Sequence, residues 1–164
     1  MKKLRLLFTS YCPRQCVGCC NKDWDLKNLL PVTHFNYDEI LITGGEPLYD
    51  FKRILGFLQA LRVITKAKIY IYTAYVTNEQ EVARILQYCD GITLTLHDQS
   101  DVLYYDILCK YFITRDIDVS NKSLRLNVFR GIKVNPYPNW VVKSDIEWVE
   151  NCPLPKDEEF KKLY

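Results

Sequence analysis

Cys12, Cys16 and Cys19 stand in the spacing Cys-x3-Cys-x2-Cys. The intervening Pro13, Arg14, Gln15, Val17 and Gly18 make an arc short enough to curl three thiolates around one point. Thiolates are soft donors that suit zinc or an iron–sulfur cluster. Gly18 lets the backbone come close to such a centre. A structural zinc takes four ligands, and Cys20, His34, His97 or Cys152 is available as the fourth. Iron–sulfur electron carriers also use four protein ligands per cluster. Three ligands leave one iron open, and an open position implies chemistry.

A second motif, Gly44-Gly45-Glu46-Pro47, closes the apolar run Glu39 to Thr43. Two glycines permit a close backbone approach to a ligand, Glu46 offers a carboxylate, and Pro47 can start a helical turn. Alone, the motif reads as an ordinary turn from strand to helix.

These motifs must be positioned by the elements around them. Leu4 to Thr9 reads as a first strand and Cys12 to about Asp38 as loop. Phe51, Ile54, Leu55, Leu58 and Leu61 form one face of a helix over about 50–64. Lys68 to Thr73 is a third strand, rich in aromatic and β-branched residues. Asn78 caps the next helix, with Glu81 as its capping-box partner. Gly91 to Leu96 is a fourth strand, Ser100 caps a helix to about Phe112, Leu124 to Phe129 is a fifth strand and Trp140 to Val142 a short sixth. Strands alternating with helices predict a parallel sheet, whose ligands bind beyond the carboxyl ends of the strands. Both motifs follow strands, so they fall at one edge of the sheet and can form a joint site. Residues 1–150 are expected to form the core domain. Residues 151–164, with two prolines and many charges, are expected to be a poorly ordered tail.

The 164 residues suit one domain, with 48% apolar and 26% charged residues. A net charge of +2 is too small to point to nucleic acid. No apolar stretch is long enough to span a bilayer, and the N-terminus reads as a strand rather than a signal peptide. Seven cysteines, odd in number and clustered, argue against a disulfide framework and for thiolates kept reduced in a cytoplasmic protein.

The three-cysteine spacing resembles the signature of the radical S-adenosylmethionine (SAM) superfamily. The segment Cys12-Pro-Arg-Gln-Cys16-Val-Gly-Cys19-Cys20-Asn21-Lys22-Asp23-Trp24 looks like the cluster loop of anaerobic ribonucleotide reductase activating enzymes. Gly18, Asn21 and Trp24 match that family, and Cys20 departs from it, standing where an aromatic ring or histidine is usual. Gly44-Gly45-Glu46-Pro47 is similar to the superfamily's Gly-Gly-Glu segment, which binds the methionyl ammonium of SAM. Tyr72-Thr73-Ala74-Tyr75 looks like the Trp-Thr-Gly-Tyr segment of the same activases.

The resemblance implies a compact, incomplete (β/α)6 barrel of parallel strands. It implies a [4Fe–4S] cluster on Cys12, Cys16 and Cys19, with SAM chelating the open iron. SAM would also meet Gly44, Gly45, Glu46, Pro47 and Thr73, and Thr95 and His97 on strand four. Reduction of the cluster by a donor such as flavodoxin or ferredoxin would cleave SAM to methionine and a 5′-deoxyadenosyl radical. The implied partner is a glycyl radical enzyme, the anaerobic ribonucleotide reductase. Two other readings stay open: a radical SAM enzyme acting on a small molecule or peptide, such as a carboxydeazaguanine synthase, and a non-enzymatic zinc or iron–sulfur module. Asn127 and Arg130 on strand five are weaker candidates. Cys89 and Cys109, on helices, read as buried small hydrophobes.

Overall fold

In the computed structural model, which describes residues 1–163, the chain is an α/β protein built on one all-parallel sheet. The strands are β1 (Lys3–Thr9), β2 (Glu39–Gly44), β3 (Lys68–Thr73), β4 (Gly91–Leu96), β5 (Ser123–Phe129), β6 (Trp140–Ile146) and β7 (Glu158–Lys162). Their order is β6-β5-β4-β3-β2-β1-β7. Three helices, α1 (Phe51–Ile64), α2 (Glu79–Leu86) and α3 (Asp101–Thr114), make the connections from β2 to β5.

Side chains alternate across a strand, and the register turns that alternation into two unlike faces. One row runs Leu6–Ile42–Ile71–Ile92–Leu124–Trp140 from β1 to β6. All six are buried in one core with Ile54, Leu58 and Leu61 of α1, Val82, Ile85 and Leu86 of α2, and Tyr105, Leu108 and Phe112 of α3. The opposite face carries rows such as Tyr72–Thr93–Arg125, and none of the three helices covers it. Six sequential strands with helices on one face are the arrangement of a partial barrel, since a doubly wound sheet needs helices on both faces.

Two helix starts obey local rules. Asp50 Oδ1 accepts from Arg53 N at α1, and Asn78 Oδ1 accepts from Gln80 N and Glu81 N at α2. The expectation for Ser100 fails. Its side chain caps nothing in α3 and donates instead to Asp98, while Asp101 Oδ2 accepts from His97 N and Asp98 N.

Three further expectations are corrected. The sheet has seven strands, not six, because residues 158–162 pair in parallel with β1 from Lys3↔Glu158 to Leu7↔Lys162. Residues 158–162 of the expected tail therefore form a strand, with Phe160 and the stems of its charged neighbours partly buried against β1 and Trp24. Third, Cys20 and Cys152 form a disulfide, their Cα atoms 5.3 Å apart across 132 positions of sequence. Cysteine spacing alone could not reveal it, since the two meet only because β7 returns beside β1.

Candidate iron–sulfur site

The cysteine loop leaves the carboxyl end of β1, and the Gly-Gly-Glu turn leaves the carboxyl end of β2, its neighbour. Backbone contacts lock them together. Gly45 N donates to Thr9 O at 2.6 Å, and Glu46 N donates to Tyr11 O at 2.7 Å. At the other end of the loop, Asn21 Nδ2 donates to Gly44 O at 2.7 Å. Gly44 has φ +149°, and a Cβ on it would stand 2.2 Å from Thr9 O. A Cβ on Gly45 would stand 1.9 Å from Tyr11 O and 2.9 Å from Cys12 N. Only glycine lets the two turns touch this closely.

Cys12, Cys16 and Cys19 are free and half-buried at this junction. Burial pushes the Cys12 thiol up, and the charges of Glu46, Cys16 and Cys19 push the same way. Thiolates brought near one another repel until a cation sits between them. Among the described residues, no three His, Cys, Asp or Glu side chains gather around one point as ligands of a single ion must. Of zinc's candidate fourth ligands, Cys20 and Cys152 are consumed by their disulfide, and His34 stacks on Tyr37.

Glu46 is buried with both carboxylate oxygens engaged. Oε1 accepts from Leu48 N at 3.0 Å and Thr73 Oγ1 at 2.6 Å, and Oε2 accepts from Ala74 N at 2.9 Å. Burial raises its pKa, against these hydrogen bonds and the Arg14 charge. Thr73 lies on the core side of β3 with its hydroxyl given to Glu46. Together they tie the end of β2 to the end of β3. Pro47 is buried in the turn that follows. Thr95 and His97 share the opposite, helix-free face of β4 and its end. His97 Nδ1 lies 4.0 Å from Cys16 Sγ. Burial, then the Arg14 charge, pulls His97 below its usual pKa.

Several supports were not foreseen. Arg14, inside the cysteine arc, donates from Nη1 to Asp101 Oδ1 at 2.7 Å and from Nη2 to Asp101 Oδ2 at 2.9 Å, and to Ala74 O at 3.0 Å. This fork fixes the loop to the start of α3. Trp148, between β6 and β7, stacks on His97 with ring centroids 5.1 Å apart. It also fills the space that a Cβ on Gly18 would need, at 2.6 Å. Cys152 is held three times: by its disulfide, by its N–H to Asp23 Oδ2 and by its carbonyl to Trp24 Nε1. The segment between β6 and β7 is thus strapped over the cysteine loop. None of these pairs has a spacing that sequence could flag; Arg14 and Asp101 are 87 positions apart.

Asn127 lies on β5 level with Thr95, and Arg130 pairs with Glu147 beyond it at 2.5 Å. No helix among the described residues is long and apolar enough to cross a membrane. No curated protein matches the chain. Residues 3–100, from β1 through the β4 end and including both motifs, match the model of a family described as the 4Fe-4S single cluster domain. The match spans more than half of the chain, and the chain belongs to this radical-SAM-associated 4Fe-4S single cluster domain family.

Proposed function

We propose that the protein is a radical SAM enzyme in which Cys12, Cys16 and Cys19 hold a [4Fe–4S] cluster with one iron left to SAM. The observation that carries this reading is the backbone lock between the cysteine loop and the Gly-Gly-Glu turn, through Gly45 N–Thr9 O and Glu46 N–Tyr11 O. When bound, the cluster and SAM supply reductive cleavage to methionine and a 5′-deoxyadenosyl radical that abstracts a hydrogen atom.

The chain's own residues bind, orient and shield. The backbone of Gly44, Gly45 and Glu46 offers carbonyl acceptors to the methionyl ammonium, while the Glu46 carboxylate stays with Thr73, Leu48 and Ala74. Thr95 and His97 line the face of β4 on which the rest of SAM would lie. Arg14 keeps the cysteine arc in place, and Trp148 stacks on His97 beside Cys16.

For the substrate we favour a glycyl radical enzyme such as the anaerobic ribonucleotide reductase, with flavodoxin or ferredoxin as electron donor. Support comes from the exposed apolar rim at the strand ends: Tyr11 is 54% exposed, Val17 84% and Tyr49 48%. Such a rim suits docking of a large partner. A small-molecule substrate is the second reading, favoured by the polar cavity on the helix-free face described below.

The test is anaerobic reconstitution with iron and sulfide, reduction with dithionite, and EPR with and without SAM. The expected result is a reduced-cluster signal that SAM perturbs and that Cys16→Ala abolishes. A cluster indifferent to SAM overturns the reading.

A further inference from the structure

The helix-free face of the sheet holds a cavity of about 180 Å³, below the cysteine loop and toward the amino ends of the strands. Tyr70, Tyr72, Thr93, Ser123 and Arg125 line it. The register sets them in adjoining rows: Tyr70–Gly91–Ser123 and Tyr72–Thr93–Arg125. None of these five makes a side-chain hydrogen bond or ion pair with another described residue. A Cβ on Gly91 would strike Ser123 O at 2.1 Å, so glycine lets the starts of β4 and β5 come this close beside the cavity.

The charges in the cavity are unequal in their partners. Glu39 faces Lys3 at 3.6 Å, and Glu158 accepts from Arg5 Nε at 2.6 Å. Both lining carboxylates therefore have a cation. Arg125, though exposed toward solvent, pairs with no carboxylate among the described residues. Polar groups that converge on one cavity and spend none of their capacity on the protein are free to meet a ligand there. A guanidinium beside four hydroxyls matches a planar or tetrahedral oxyanion, which it can grip with two parallel N–H donors.

We propose that this cavity is an anion subsite, in which Arg125 forks onto a carboxylate or phosphate of the substrate and the four hydroxyls complete its hydrogen bonds. It rests on the radical SAM reading only in naming the ligand as the substrate. The volume is below the range of about 300–1,000 Å³ that encloses a whole ligand, so the cavity takes one end of a longer molecule. The remainder has a path along the same face of β4, past Thr95 to His97. Thr93 and His97 are four residues apart, about 13 Å along an extended strand. That span leaves room between the anchored anion and the cysteine loop for the reacting carbon and the adenosine of SAM.

The test titrates the full chain, at ionic strength held constant with sodium chloride, with inorganic phosphate in one series and acetate in another. NMR of the Arg125 Nε–H and of the Thr93 and Ser123 amides reads binding. The expected result is a saturable shift at these three residues. Arg125→Gln should weaken it about tenfold, as loss of a charge-assisted fork predicts, with Arg125→Lys intermediate. Thr93→Val provides an independent variant that keeps side-chain shape and should also weaken binding. Tighter phosphate binding identifies a phosphorylated substrate, and tighter acetate binding a carboxylic acid. No saturable shift with either probe, or affinity unchanged in both Arg125→Gln and Thr93→Val, overturns the subsite. The EPR response of the wild-type cluster to SAM is read separately. Anion binding without that response sinks the radical reading alone, and the reverse sinks only the subsite.

Discussion

Glycine and cysteine carry the site at the scale of single residues, and each kind is used in two opposite ways. Gly45 is pinned against Tyr11 O and Cys12 N, so Gly45→Ala forces backbone against backbone. We expect it to cost about 3 kcal/mol or more and to impair cluster uptake. Gly56, inside α1, would meet nothing within 4 Å of an added Cβ. Gly56→Ala should stabilise by about 0.5–1 kcal/mol, because glycine is the poorer helix former. Denaturant melts of the two variants give the answer, and similar effects from both would contradict the close-approach argument. The cysteines divide likewise. Burial pushes Cys89 and Cys109 up to about 12, which leaves almost no thiolate near neutrality. In the metal-free native protein, iodoacetamide at mildly alkaline pH should label Cys12, Cys16 and Cys19 well before Cys89 and Cys109. Peptide mass spectrometry reads the order, and early labelling of Cys89 would mean that the core opens.

At the scale of elements, β7 and the segment before it decide how the cysteine loop is held. The strand covers the edge of β1 that would otherwise be open to pairing with another chain. The disulfide closes a long loop between Cys20 and Cys152. Cys152→Ser should lower stability by about 2–4 kcal/mol under non-reducing conditions. A reducing agent should bring the wild type down to the variant's level. The Asp23 and Trp24 bonds to the Cys152 backbone should keep the strap docked, so Trp148 fluorescence should shift little. An equal melt for wild type and variant would mean that the disulfide constrains nothing. Asn78 and Asp50 show that cap residues reveal a helix start when the bond they make is local. At α3 no side chain caps the start: Asp98 takes the Ser100 amide and hydroxyl, and Asp101 turns back to His97 N and Arg14.

For the whole molecule the net charge of +2 is small, so stability against pH follows local groups rather than overall repulsion. Asp90 joins three elements. It pairs with Arg62 of α1 and accepts from Ile69 N and Lys68 Nζ of β3 while leading into β4. Burial pushes its carboxyl up, but the Arg62 hydrogen bond, the Ile69 amide and the Arg62 and Lys68 charges outweigh it and hold it below its ordinary 3.8. A carboxyl depressed in the folded state stabilises above its unfolded value, and that stability is lost as pH falls through the folded value. Wild type should therefore melt above Asp90→Asn at neutral pH. The gap should shrink as pH drops below the ordinary carboxylate value, and a constant gap would remove Asp90 from the acid response.

The sequence by itself determined the three-cysteine loop, the Gly-Gly-Glu turn, the first five strands and the three helices, because each is written in short-range spacing. Periods of 2 and 3.6, a cap beside its helix and two cysteines three or four apart need no knowledge of distant residues. That both motifs leave carboxyl ends also followed from the parallel βα rhythm. Tertiary structure decided the rest. The Arg14–Asp101 fork, the Trp148 cover over Gly18 and the Cys20–Cys152 disulfide join residues far apart in sequence, where no local energy marks a pairing. The tail reads as charged and proline-rich, and becomes β7 only because β1 offers an unpaired edge. Glu46 reads as a ligand for an ammonium, yet its carboxylate is spent on Leu48, Thr73 and Ala74. A buried carboxylate takes whichever donors the fold brings to it, and only the packing of β2 against β3 decides which those are.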